Sequence, residues 1–196
     1  LLALAALAPL PVGPAAAQPP VAPPRVETLA TGLDVPWALA AAPDGRLFVT
    51  ERPGRIRVVT NGRLVPEPVA TLAVAASGEA GLMGLALDPR FAATGHLYVC
   101  HTAESAGGLV NRIVRLTLRD GRAGEARVLL DGMRGASIHD GCRLKFGPDG
   151  RLYATMGDAA EPRLAQDRQS LNGKILRLEP DGSVPRDNPF PGSPVF

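Results

Sequence analysis

Apolar and polar positions along this chain alternate in short runs punctuated by Asp-Gly and Asn-Gly turns, and one such run recurs. Pro43-Asp44-Gly45-Arg46-Leu47-Phe48-Val49-Thr50 returns almost letter for letter as Pro148-Asp149-Gly150-Arg151-Leu152-Tyr153-Ala154-Thr155. Between them, Leu87-Asp88-Pro89-Arg90-Phe91 leads through Gly95 into His96-Leu97-Tyr98-Val99, a longer version of the same turn. Each turn follows an apolar segment, at residues 37–41, 82–87 and 144–146. The predicted unit is a strand, an Asp/Gly turn, and a second strand rich in aromatic and β-branched residues. Arg55-Ile56-Arg57-Val58-Val59 alternates up to Asn61-Gly62, residues 111–118 alternate up to Asp120-Gly121, and Lys174-Ile175-Leu176-Arg177-Leu178 does so before Asp181-Gly182. These are hairpin signals. Lys174 and Arg177 fall on the predicted solvent face of their strand. No stretch of ten or more residues combines a 3.6-residue apolar period with caps, so helix is expected to be scarce.

The copies start near residues 36, 82 and 143, and a spacing of roughly 40 to 60 residues with about four short strands per unit is that of a β-propeller blade. A β-sandwich also strings short strands on turns, but it has no need of similar units. The fold class is therefore all-β, a β-propeller over residues 25–196. At roughly 40 to 50 residues per blade this span makes about three to four blades, fewer than closed rings usually have. The expectation is an incomplete propeller, a fragment of a longer protein.

The first seventeen residues are almost wholly small and apolar, and Ala15-Ala16-Ala17 before Gln18 fits a signal-peptide cleavage site. They are too short and too interrupted by proline to span a bilayer, so export to the periplasm or medium is expected, without membrane insertion. Residues 18–24 are a proline-rich spacer. With 21 basic and 19 acidic residues and no basic stripe, a nucleic-acid partner has no electrostatic footprint. Cys100 and Cys142 are too few for a disulfide framework or a Cys-rich metal site, and are read as small buried residues rather than a bridge.

Candidate chemistry concentrates in residues 137–158, where polar residues bracket a strand. His139 and Asp140 precede it, and Asp158 follows its hairpin partner, at positions where side chains converge on a ligand without weakening the ladder. An imidazole exchanges a proton near neutral pH, so His139 is the candidate base, and either Asp140 or Asp158 could orient it. Gly157 would let the backbone approach a ligand closely. Glu79 stands on the glycine-rich loop Ser77-Gly78-Glu79-Ala80-Gly81, and Arg143 offers a planar fork for a carboxylate. His96, in a turn, and His101, at the end of a strand, are read as surface or structural residues. No G-x-S-x-G, P-loop, dinucleotide fingerprint, H-E-x-x-H or EF-hand loop is present.

Several of these motifs together resemble a known family. Val35-Pro36-Trp37, Thr50-Glu51-Arg52-Pro53-Gly54-Arg55-Ile56, Glu79-Ala80-Gly81-Leu82-Met83-Gly84-Leu85, residues 139–158, Ala165-Gln166-Asp167, Leu171-Asn172-Gly173-Lys174-Ile175-Leu176-Arg177 and Asp187-Asn188-Pro189-Phe190 resemble the soluble PQQ-dependent glucose, aldose-sugar and sorbosone dehydrogenases. The later motifs are most like the bacterial aldose-sugar branch. The resemblance implies a six-bladed propeller binding pyrroloquinoline quinone (PQQ) and calcium, an aldose substrate, and an external quinone or cytochrome as electron acceptor. It places His139 at the catalytic base position, Asp158 beside it, Arg143 and Glu79 near cofactor and sugar, and Gln166 on the cofactor side. No metal ligand is assigned within the chain, because calcium and most cofactor contacts belong to the family's second half. Cys142 stands where the family pattern has glycine. The rival readings are a non-enzymatic extracellular propeller that binds a partner, and a lactonase-type propeller hydrolase, whose ring of Asn, Asp and Glu ligands is not visible.

Overall fold

A computed structural model describes residues 23–196; the expected signal peptide and most of the spacer lie outside the described residues. Three antiparallel sheets follow one another along the chain. The first contains β1 (Pro36–Ala41), β2 (Leu47–Glu51), β3 (Arg55–Thr60), β4 (Arg63–Leu64) and β5 (Ala70–Thr71), with both short strands pairing with β3. The second orders β6 (Leu82–Leu87), β7 (His96–Ser105), β8 (Gly108–Arg119) and β10 (Arg127–Arg134), with β9 (Arg122–Ala123) beside β8. The third is β11 (Gly141–Phe146), β12 (Leu152–Met156) and β13 (Ile175–Leu178), extended by a bridge between Leu176 and Val195. These are three blades of a propeller, and their first strands begin where the repeat predicted.

The recurring Pro-Asp-Gly turn joins the first two strands of blades 1 and 3. In blade 2 the longer linker folds into a single helical turn, α1 (Phe91–Thr94), closed by Gly95 at φ 67°. Beyond it the chain has one 3-10 turn, Pro162–Ala165, and no other helix among the described residues. None is long and apolar enough to cross a membrane.

Packing between blades explains the strand patterns. In β7, Leu97 and Val99 face blade 1 with Phe48, Ile56 and Val58, while Tyr98 and Cys100 face blade 3 with Leu144, Leu152 and Leu176. A middle blade buried on both faces reads as a nearly continuous apolar run. In the outer blades β2 and β3 are also buried nearly throughout, whereas β1 and β11 alternate. In β11, Cys142 and Leu144 are buried while Arg143 and Lys145 are exposed. In β1, Ala38 is buried while Trp37 and Leu39 are not. Each fully buried Leu or Phe stabilises the fold by about 1.5–3 kcal/mol, so the two interblade cores hold the row together.

Two expectations change. His101 does not end a strand; β7 continues to Ser105, and the imidazole lies buried between blades 1 and 2. Nor do Lys174 and Arg177 face solvent. The Arg177 guanidinium bonds Asp149 at 2.9 Å and Asp187 at 3.0 Å. The Lys174 ammonium donates to the carbonyls of Leu164, Ala165 and Asn172. Alternation predicts which side of a strand a residue takes; it does not predict that a returning loop will cover that side with acceptors.

Candidate active site

His139 sits at φ 58°, in the left-handed region that non-glycine residues seldom occupy. Three sets of bonds hold it there. Its backbone N–H donates to the Glu79 carboxylate at 2.7 Å, its carbonyl accepts from Ala159 N at 3.0 Å, and its ring Nδ1 lies 2.9 Å from Asp158 Oδ1. Glu79 is fixed in turn by its own N–H on the Ser137 carbonyl at 2.8 Å. The loops carrying Glu79 and His139 press together at Gly78, where a Cβ would overlap the Ser137 carbonyl. Gly157 plays the same part on the other side, since a Cβ there would overlap the His139 carbonyl. The glycine before Asp158 thus serves a backbone-to-backbone approach.

Of the two candidate partners for the imidazole, the structure selects Asp158. A carboxylate only accepts, so in the neutral imidazole that faces it Nδ1 carries the proton and Nε2 keeps the lone pair. The side chain of His139 is 56% exposed and that of Asp158 22%, so the imidazole is the open member of the pair. Asp140 turns the other way. It is fully buried, with Oδ1 accepting from Asn111 Nδ2 at 2.8 Å and Ala136 N at 2.9 Å and Oδ2 without a partner. Burial pushes its carboxyl above the ordinary value and the charge of Glu79 adds to this, against the bonds from Asn111 and Ala136.

Arg143 is exposed, and among the described residues its guanidinium has no ion pair or hydrogen bond; its backbone is tied to Thr155 Oγ1 at 3.1 Å. Gln166 follows the 3-10 turn, exposed, with no side-chain hydrogen bond among the described residues and no contact tying it to His139. The structure gathers His139, Asp158 and Glu79; Arg143 stands four residues beyond His139, on β11, and the Gln166 side chain bonds none of them among the described residues.

A scan of family models matches residues 33–195 to Glucose / Sorbosone dehydrogenase. The chain belongs to the glucose/sorbosone dehydrogenase family. An aldose sugar dehydrogenase of Escherichia coli, YliI, is 32% identical over 173 residues, which cover 85% of this chain and 47% of the relative. The PQQ-bound aldose sugar dehydrogenase of Streptomyces coelicolor superposes with a TM-score of 0.80 at 40% identity, over 87% of this chain and 52% of that one. An oxidoreductase of Thermus thermophilus, described as a glucose dehydrogenase, gives 0.81 at 47% identity over 88% and 54%. The chain spans about half the length of the relatives it matches.

Residues not singled out as site candidates from the sequence hold the His139–Asp158 pair in place. Asn172 accepts from Arg134 N at 2.9 Å and donates to the carbonyls of Arg134 and Gly157 at 2.8 and 3.2 Å, fixing the backbone just before Asp158. Asn111 links Thr102 Oγ1, at 2.7 Å, to Asp140. Their one sequence signal is an amide in an otherwise apolar or glycine-bounded strand end, where a buried polar group must find partners.

Proposed function

We propose that this chain supplies the base side of the active site of a PQQ-dependent aldose sugar dehydrogenase, exported to the periplasm or medium, which oxidises the anomeric carbon to a lactone. The observation that carries this reading is the His139–Asp158 hydrogen bond, which leaves Nε2 with its lone pair on an exposed imidazole. Family membership and the PQQ-bound Streptomyces relative support it.

Nε2 takes the proton of the anomeric hydroxyl, Asp158 stabilises the resulting imidazolium through Nδ1–H, and Glu79 holds the strained His139 backbone so that the ring keeps its direction. A positioned base of this kind is worth about 10²–10⁴-fold in rate. When bound, PQQ is the two-electron oxidant, and an external quinone or cytochrome would reoxidise it. The residues present fit an acidic planar cofactor, since Arg143 offers an unpaired guanidinium fork to a carboxylate and the dyad lies in the open. Gln166, outside the dyad, is assigned a lesser contact on the cofactor side. No calcium ligand is assigned to this chain, and no step uses that ion.

The test is His139→Ala in the full-length protein. Aldose oxidation should fall by about 10²–10⁴-fold while PQQ still binds, as followed by its absorbance. Undiminished turnover in this variant would refute the base, whereas no aldose oxidation by the wild-type full-length protein supplied with PQQ would favour a propeller that binds a partner without chemistry.

A further inference from the structure

All the sulfur in this protein lies in one place. The chain has three methionines and two cysteines, and Met83, Met133, Met156, Cys100 and Cys142 all belong to the buried core between blades 2 and 3. Cys100 is on β7, paired with Ile113 of β8 and facing blade 3. Cys142 is on β11, the first strand of blade 3, and faces back toward blade 2. The two side chains lie in one buried cluster across the blade boundary, and both are buried and unbridged. Neither has a task in the chemistry proposed above, since His139 and Asp158 open toward solvent while Cys142 points into the core.

Chemistry narrows what such a pair can do. Burial pushes the Cys100 thiol well above its ordinary value, with the neighbouring Cys142 and Asp140 groups adding to it. A soft metal ion would need thiolates, which place charge where burial opposes it. A disulfide is neutral and suits the apolar surroundings. The same burial makes the folded thiols unreactive, so the bond has to form before blades 2 and 3 close over it, and once formed it is shielded from reductants.

We propose that Cys100 and Cys142 are a modification site, a disulfide that ties blade 2 to blade 3 beside the His139 loop. It forms by exchange with a small-molecule disulfide of the glutathione type. One protein thiolate attacks that disulfide and releases a thiol, and the second protein thiolate then attacks the mixed disulfide and releases the other. The protein gives up two electrons and two protons, and the small disulfide is reduced to two thiols. The bond closes the segment that contains β8, β9 and β10, removing freedom from the unfolded chain.

The experiment refolds the full-length reduced protein in a glutathione and glutathione-disulfide couple, alkylates it in denaturant and maps the peptides. Protein secreted into an oxidising compartment gives the same readout without refolding. The expected result is a joined pair of peptides carrying Cys100 and Cys142. The thermal midpoint should also lie several degrees above that of dithiothreitol-treated protein, a difference absent in Cys100→Ala and Cys142→Ala. Two alkylated cysteines under oxidising conditions, glutathione adducts without a link, or a link that lowers the midpoint would each overturn the proposal. None of these readouts depends on sugar oxidation.

Discussion

Asp140 and Asp158 show how far one residue's surroundings decide its role. Both are aspartates flanking the same hairpin, yet one meets the imidazole and the other is buried whole, its Oδ2 unpaired. For Asp140 the sign of the pH effect follows from the raised native value. Below its ordinary value of 3.8 the group is neutral in both folded and unfolded chains. Above that the folded protein keeps a proton that the unfolded chain has released, so stability falls as pH rises through the native titration and stays reduced beyond it. Asp140→Asn cannot titrate. Denaturation of wild type and variant across this range should therefore give a stability difference that shifts against the wild type as pH rises. Parallel profiles would mean that the buried carboxyl is not ionised by pH in the folded state.

At the scale of strands, the alternation, the repeat and the turn residues foretold all three blades, because each depends on local chemistry: side-chain period, Gly at positive φ, and Asp acceptors in the turn. The proposed base and its neighbours could be named from the resemblance, but the choice between Asp140 and Asp158 turns on which way a loop faces, and no local pattern carries that. The same holds for Arg177 and for the Glu51 cluster at the end of β2. Glu51 is fully buried and receives Arg55 Nε at 2.5 Å, Asp34 N at 2.8 Å and Arg57 at 3.2 Å. Burial opposes its charge, but the bonds from Arg55 and Asp34 and the two guanidinium charges outweigh it and hold the carboxyl below its ordinary value. Its contribution is thus present above pH 4.5 and lost as pH falls through the depressed native value. Glu51→Gln keeps the shape and removes the charge that faces both guanidinium groups, although Arg55 keeps Asp34 and Arg57 keeps the carbonyls of Val65 and Pro66; the change should cost about 1.5–3 kcal/mol at neutral pH. A change in the denaturation midpoint small enough to mean a few tenths of a kcal/mol would show that water already reaches the cluster.

Over the whole molecule, the two ends of the row of blades are its least satisfied surfaces. On blade 1, Trp37 is 40% and Leu39 59% exposed; on blade 3, Ile175 is 49% and Phe196 51%. Between blades, side chains of the same kind are buried almost completely, so these faces have the composition of a blade interface without the neighbour. Contiguous apolar surface of this sort drives association. The proposed site is one-sided in the same sense, offering a histidine, its carboxylate and a guanidinium unpaired among the described residues. We therefore expect the 196-residue polypeptide on its own to self-associate in sedimentation experiments, with Leu39→Glu weakening that association. We also expect it not to reduce a dye when given PQQ, calcium and an aldose. The two results are linked, because the surfaces left open are those that further blades would cover, and those blades would bring the remaining contacts to the cofactor. Dye reduction by the polypeptide alone would show that the described blades already hold a complete site. A monomer at high concentration would show that the end faces are stable in water as they stand.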